Sequence, residues 1–241
     1  MKRLIDVLVS LYGLVIGLPV LLPILFLVWL QDRHSPFYVA PRIGRGGRVF
    51  KMVKVRSMVI HADKTGVDST SADDDRITSV GRFVRRFKID EITQLWNVLK
   101  GDMSLVGPRP NVHRDVVLYT DVEKKLLSVR PGITDLSSVV FADEGEILEG
   151  RPDPDLSYNQ LIRPWKSRLG LLYIEHQSVG LDLQLIFLTV IAVFSRPLAL
   201  QGIQGLLKRL GAEEKLQQVS ARAEELNPFP PPGALEVVSS R

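Results

Sequence analysis

The sequence predicts a mostly helical α+β protein: an N-terminal membrane helix, a short β-hairpin or small sheet, and amphipathic helices around them. Three observations carry that prediction. Residues 7–30 hold 24 consecutive side chains without a charge, enough for the roughly 20 apolar residues a bilayer-crossing helix needs. Two β-branched and aromatic runs, at 37–39 and 49–55, flank a turn containing Gly44, Gly46 and Gly47, the pattern of paired strands. Most later segments repeat apolar residues at helical spacing.

The first apolar run is too long for a secretory signal core, and no small-residue cleavage pattern follows Leu30. Pro19 and Pro23 lie inside it, and each removes a backbone donor and crowds the carbonyl four residues back, so a bend or break is expected there. Lys2 and Arg3 precede the run and a more basic stretch follows it. Cytoplasmic flanks attract Lys and Arg. A bent span is compatible with the prolines, but a helix that enters, breaks at proline and returns to the same face satisfies both flanks at once.

Residues 61–75 read as a polar loop and 78–87 as a helix. In 90–99, Ile92, Leu95, Trp96 and Leu99 recur at helical spacing before Gly101 stops the pattern. The run Gly107-Pro108-Arg109-Pro110 cannot be helix interior. Helix is expected over 111–129 and 159–177, with a loop at 143–154. The apolar stretch 181–194 would span only about 21 Å at ~1.5 Å per residue, and it contains Asp182 and Gln184. It reads as a core or interfacial helix. Residues 204–226 read as one amphipathic helix, and the proline-rich segment after it as disordered. The expected organisation is therefore a membrane helix over 1–33, a catalytic domain over 34–196, and a helical then disordered tail over 197–241.

The 241 residues include no cysteine, which excludes disulfide scaffolds, thiol nucleophiles and Cys-ligated metals. The four histidines fall at no metal-ligand spacing, and no nucleophile elbow anchors a Ser-His-Asp reading. The net charge of +4 is unevenly placed. Seven bases against one acid occupy 31–60, and seven against three occupy 76–109. Nucleic acid would explain the charge but not the apolar N-terminus, and the sequence offers no basic motif interleaved with aromatics.

Within the basic half stands the acidic pair Asp90-Glu91, with Arg82, Arg85, Arg86 and Lys88 before it and Arg109 after it. Carboxylates between cations suit an anionic substrate. Neighbouring residues on a helix diverge by about 100°, so the two suit separate roles, one as nucleophile or metal ligand and one as general base or positioning group. Arg109, between two prolines, is pre-organised for bidentate phosphate binding. Lys54 and Arg56 alternate with Val53 and Val55 and share one strand face.

The run from Asp90 to Pro110, DEITQLWNVLKGDMSLVGPRP, resembles the signature of the bacterial sugar transferase family, the monotopic polyprenyl-phosphate phosphoglycosyl transferases. The resemblance extends through Arg3-Leu4-Ile5-Asp6, the proline-bearing apolar segment, Arg42-Ile43-Gly44, Lys54-Val55-Arg56-Ser57-Met58, Arg130-Pro131-Gly132-Ile133-Thr134 and Asp182, nearly all of 2–196. It implies a re-entrant membrane helix broken near Pro19 and Pro23, interfacial helices around the site, and a place on the cytoplasmic face of the bacterial inner membrane. It also implies a two-step reaction. Asp90 attacks the sugar-bearing phosphate of a UDP-sugar and releases UMP, and polyprenyl (undecaprenyl) phosphate then takes the phosphosugar.

By the same resemblance, Glu91 accepts a proton or orients the acceptor. Mg2+ is shared by Asp90 and the diphosphate, Lys54, Arg56, Arg85 and Arg109 meet phosphate or nucleotide, and Asp182 is a supporting acid. The bilayer is a partner, and a homodimer and downstream glycosyltransferases are the protein partners it allows. The other class of reading is a catalytically idle, membrane-docked scaffold. Thr93 stands where the family usually has proline, and Lys88 where it has a small hydroxyl residue.

Overall fold

A computed structural model describes residues 1–240. Its elements confirm a mostly helical α+β protein with two small sheets. Helix α1 (Lys2–Asp32) leads into the antiparallel hairpin β1 (Phe37–Ile43) and β2 (Val49–Val55). Then come α2 (Ser79–Arg86), a 3-10 turn at Ile89–Glu91, α3 (Gln94–Lys100) and β3 (Ser104–Val106). After α4 (His113–Val117), β4 (Gly132–Thr134) pairs in parallel with β3. The remainder is helical: α5 (Leu136–Val140), α6 (Glu144–Leu148), α7 (Pro154–Ser157), α8 (Arg163–Glu175), α9 (Val179–Phe194), α10 (Arg196–Arg209) and α11 (Glu214–Ser220). The main core joins Val98, Met103, Leu136, Leu161, Trp165, Leu185 and Ile203.

Helix α1 is long and apolar enough to cross a membrane, yet it lies along the body of the protein. Its helical run continues through Pro19 and Pro23 without a gap. Its buried residues Asp6, Ser10, Leu21, Ile24 and Val28 form, with Gly13 and Gly17, a single stripe spaced three or four apart. A side chain at either glycine would meet Leu95 or Ile92 of the α3 segment, so their absence lets the helices approach. The opposite flank exposes Leu4, Leu8, Tyr12, Ile16, Leu22 and Phe26.

Both ends of α1 are pinned to the same body. At the start, the Lys2 ammonium donates to Asp182 at 2.6 Å and to the Val106 carbonyl at 2.9 Å. The Arg3 guanidinium caps the end of α3 through the Val98 and Leu99 carbonyls. Asp6 accepts from the Leu105 amide and the Ser104 hydroxyl. At the other end, Arg56 donates to both oxygens of Asp32, at 2.6 and 2.7 Å.

Other expectations need revision. The 111–129 region is one short helix and a 3-10 stretch, Glu123–Ser128, rather than a continuous helix. The 143–154 loop contains α6. The 204–226 helix is two helices beginning at Arg196, divided at Gly211, whose φ of 68° is left-handed. The segment expected to be disordered is ordered against the body. Phe229 stacks on Trp165 at 4.4 Å, its amide donates to the Gln160 carbonyl, and Arg168 and Thr120 hold the Pro230 and Pro232 carbonyls. Proline composition gives no view of these tertiary partners.

Candidate active site

The site is built by docking α3 on β2. The Thr93 hydroxyl donates to the Val53 carbonyl at 3.1 Å. Asn97 accepts from the Val53 amide at 2.9 Å and donates to the Lys51 carbonyl at 2.7 Å. These bonds occupy the backbone of β2 on either side of Met52 and leave the next outward side chain, Lys54, beside the turn that precedes α3. Thr93, the departure from the family pattern, is thus a specific tie. The turn itself begins at Lys88, whose φ of 55° is left-handed, an uncommon conformation for a residue with a side chain. It separates the end of α2 from the Ile89–Glu91 turn.

Asp90 and Glu91 therefore lie on a 3-10 turn, not within the helix, and their carboxylates approach one cation. The Lys54 ammonium is 3.5 Å from Asp90 Oδ2 and 3.7 Å from Glu91 Oε1. Successive residues of a 3-10 turn diverge by about 120°, and the long Lys54 side chain meets both carboxylates despite that divergence. Asp90 is only 8% exposed, and its Oδ1 is buried without a hydrogen-bond partner. Glu91 is held differently. Arg109 donates to Oε1 at 2.6 Å and to Oε2 at 3.1 Å, a bidentate pair. Burial alone would raise the Glu91 pKa, but Arg109 and Lys54 overcome it and bring the group down to about 2. Burial likewise opposes the charge of Arg109, and Glu91 outweighs it, so its pKa rises.

Arg109 is aimed by the β3–β4 pair. A Cβ on Gly107 would lie 2.5 Å from the Arg130 carbonyl, and one on Gly132 would lie 2.1 Å from the Gly107 nitrogen. Only glycine permits that backbone approach. It brings the Gly107-Pro108-Arg109-Pro110 loop against β4, where Arg109 also donates to the Ile133 carbonyl.

Of the residues singled out in the sequence, Asp90, Glu91, Lys54 and Arg109 converge. Arg56 does not join them: it clamps Asp32 and the Ser35 carbonyl. Asp182 is also removed from the group, bonded to Lys2 and to the Tyr173 hydroxyl. Both anchor α1, each through a partner remote in sequence. Arg85 is half-buried on α2 and makes no side-chain hydrogen bond or ion pair among the described residues, so its guanidinium is open to a ligand. Pro19 and Pro23 sit within α1.

The site also contains residues the sequence reading missed. Arg42 lies on the β1 face shared by Tyr38 and, across the hairpin, Lys54, and its charge acts on Arg109. Strand alternation could have placed it there. Lys166 pairs with Glu144 and lies over the Tyr158 ring at 5.3 Å. The charges of Arg109 and Lys88 reach that Glu144 carboxylate. No pattern in the sequence signals this pair.

Among the described residues, no three His, Asp or Glu side chains converge as a metal cage. Magnesium is commonly held by one or two carboxylates together with substrate phosphates and water. The bare Oδ1 of Asp90 fits an ion that arrives with a diphosphate, and does not fit one held by protein alone.

The model of the bacterial sugar transferase family matches residues 1–196. An undecaprenyl-phosphate galactose phosphotransferase of Salmonella typhimurium is 32% identical over 211 residues, covering 81% of this chain and 41% of that protein. The exopolysaccharide production protein ExoY of Sinorhizobium fredii is 32% identical over 207 residues, covering 80% of this chain and 84% of ExoY. A putative undecaprenyl-phosphate N-acetylgalactosaminyl 1-phosphate transferase of Bacillus subtilis is 46% identical over 109 residues, covering 45% of this chain and 61% of that protein. The chain thus spans less than two thirds of the Salmonella and Bacillus relatives. The match over residues 1–196 takes in every element from α1 to α9, and this chain belongs to the bacterial sugar transferase family.

Proposed function

We propose that the protein transfers a phosphosugar from a UDP-sugar to polyprenyl phosphate, the first membrane step of a surface polysaccharide or glycoconjugate. The relatives named for undecaprenyl-phosphate sugar transfer support this reading. The observation that carries it is the Asp90 carboxylate, buried, bare at one oxygen, and set among cations. A carboxylate without strong hydrogen bonds is a better nucleophile than a solvated one, and an anion attacking an anion needs close cations to lower the repulsion.

In the first step an Asp90 oxygen bonds to the phosphorus that carries the sugar. The bond from that phosphorus to the bridging oxygen breaks, and UMP departs with the electron pair. In the second, an oxygen of polyprenyl phosphate bonds to the same phosphorus and the carboxylate leaves, giving polyprenyl diphosphate-sugar. With a phosphate monoester dianion as acceptor, neither step transfers a proton. That agrees with Glu91, which at a pKa of about 2 is a poor proton acceptor at neutral pH. Its role is to fix Arg109 and Lys54 around the reacting phosphorus. Mg2+, held by Asp90 and the diphosphate, would supply charge neutralisation.

The exposed apolar flank of α1 supports seating in the bilayer from one face, since both ends of the helix return to one body. Exposed Phe83, Phe87, Trp96 and Phe187 would extend that contact to the interface. A nucleotide-sugar donor places the site on the cytoplasmic face of the inner membrane.

The test is UMP release by purified protein across a panel of UDP-sugars, with mass spectrometry of the protein after donor is added without acceptor. Release together with a phosphosugar adduct on Asp90, both lost in Asp90→Asn, is expected. No release from any donor would favour the idle scaffold, and release without an adduct would favour direct displacement.

A further inference from the structure

Helix α8 runs alongside the Gly107-Pro108-Arg109-Pro110 loop, and two contacts give its register. The Tyr173 hydroxyl donates to the Val106 carbonyl at 3.2 Å, and a Cβ on Gly170 would lie 3.6 Å from Pro108. Lys166 precedes Gly170 by four residues, on the same face and one turn further along, at the end of the loop where Arg109 stands. The electrostatics agree. Burial alone would raise the pKa of Glu144, the partner of Lys166, but Lys166, Arg109 and Lys88 outweigh it. Arg109 and Lys88 flank the Asp90-Glu91 turn, so Glu144 lies within reach of charges on both sides of it.

The chain enters α8 through a π-helical turn, Tyr158–Ile162, a rare conformation frequently found at functional sites. Tyr158 begins it, under the Lys166 ammonium at 5.3 Å. The residue is 8% exposed, its hydroxyl makes no hydrogen bond among the described residues, and that oxygen is not sealed from solvent. Burial holds its pKa well above the usual tyrosine value, so the hydroxyl stays a donor. Lys166 and Glu144 are within reach of a ligand as well, with 19% and 31% of their side chains exposed. Glu144 is fixed from behind: Asp143 receives Arg196 at 2.7 Å and Arg222 at 3.1 Å, and the Gly145 carbonyl accepts from the Ala72 amide at 2.9 Å.

The two flanks of Arg109 differ in charge. On the hairpin side, the Ile43 amide donates to the Asn111 carbonyl at 3.0 Å. The neighbouring Arg42 bonds the Pro41 carbonyl and meets no carboxylate as an ion pair among the described residues, a cation left for an anionic group. On the α8 side the charges of Lys166 and Glu144 cancel. With the Tyr158 hydroxyl they present donors and an acceptor, which suits an uncharged polyol whose hydroxyls do both. We infer that Glu144, Tyr158 and Lys166 form the subsite for the sugar of the donor and determine which sugar is accepted. A fixed polar array discriminates because a sugar that lacks the matching hydroxyl leaves its groups unpaired. The inference rests on the phosphosugar-transfer reading.

The experiment measures steady-state UMP release with UDP-glucose, UDP-galactose and their N-acetylamino counterparts. It compares the wild-type chain with Tyr158→Phe, which removes one oxygen, and with Lys166→Met/Glu144→Gln, which removes both charges and leaves neither unpaired. Inhibition by UMP and thermal melts accompany the kinetics. The preferred donor's kcat/KM is expected to fall about 10-fold in Tyr158→Phe and about 100-fold in the double variant. Its margin over the other donors narrows by a similar factor, which a merely structural role would not produce. UMP inhibits all three proteins within about twofold, and Tyr158→Phe melts with the wild type. An unchanged margin among donors in both variants overturns the inference. So does UMP inhibition that weakens in step with KM, which would give the three residues to the nucleotide, and so does a wild-type chain that uses all four donors alike. If the double variant does not fold, Tyr158→Phe decides. Absence of UMP release from every donor would instead overturn the phosphosugar-transfer reading itself.

Discussion

Asp90 and Asp182 are equally buried, at 8% and 7% exposure, and they are treated in opposite ways. Both oxygens of Asp182 are bonded at 2.6 Å, one by the Lys2 ammonium and one by the Tyr173 hydroxyl. Asp90 has one bare oxygen and one cation at 3.5 Å. Burying a carboxylate is unfavourable unless its lone pairs are met. Asp182 meets that condition and joins α1 to α8 and α9. Asp90 does not, and the fold supports the cost through the Thr93 and Asn97 ties that fix its turn on β2. The difference separates a carboxylate that holds the structure from one kept available for a bond the free protein does not make.

The comparison is broken most directly by neutralising each aspartate. Asp90→Asn is expected to lower UMP release at least about a thousandfold while the melting temperature holds or rises, because a buried carboxylate with one oxygen bare is removed and Lys54 keeps Glu91 as a partner. A thermal loss in that variant would place Asp90 with the structural carboxylates. Glu91→Gln, intermediate between the two cases, should cost about a hundredfold in turnover, through loosened Arg109, without unfolding the chain. Its stability gap to wild type should also depend on pH. The folded-state pKa of Glu91 is depressed from 4.5 to about 2, so its contribution is fully present above about pH 4.5 and is lost as the pH falls toward 2. Denaturant melts of the two proteins at pH 7 and near pH 3 should therefore converge in acid. A gap that widens in acid would mean that Glu91 is not held ionised by its cations.

What was legible in the sequence follows from the same contrast. The turn, α3 and the Gly107-Pro108-Arg109-Pro110 loop are local in sequence, so spacing and turn chemistry located Asp90, Glu91 and Arg109. Strand alternation placed Lys54 on a face but could not show that Arg56, two residues on, would turn back to Asp32. The pairing of Asp182 is equally out of reach of the sequence, since its partner Lys2 lies 180 residues away. In α1 the prolines and the hydropathy dominated the reading. The stripe of Asp6, Ser10, Gly13 and Gly17, which fits the helix against β3 and the α3 segment, stands in the sequence as small or polar residues at helical spacing, a weaker signal than the hydropathy around it. The Pro-rich tail failed for a related reason: composition describes what a segment prefers alone, whereas Trp165 and Gln160 determine what it does here.

Asp182→Asn gives the next effect. It removes the charge that both Lys2 and Tyr173 approach, and should cost about 2 kcal/mol of stability while the donor KM in the remaining folded protein is unchanged. A rise in KM without a loss of stability would move Asp182 into the substrate site and erase the distinction drawn above.

Phe229→Ala is the smallest test and extends the contrast to a part of the chain beyond the family match. The Phe229 ring stacks on Trp165 and lies under the Lys215 ammonium at 4.1 Å and the Arg168 guanidinium at 4.8 Å. It is half-buried, so its loss should cost about 1 kcal/mol, below the range for a fully buried phenylalanine. Its neighbours bond to Arg168 of α8 and to Thr120, which precedes the 3-10 stretch, not to the Asp90 turn, and UMP release should be unaltered at a temperature where the variant is folded. The measurement is a paired melt and rate assay. Reduced release with an unchanged melt would mean that the strap acts on the chemistry, through the α8 residue Lys166 and its partner Glu144.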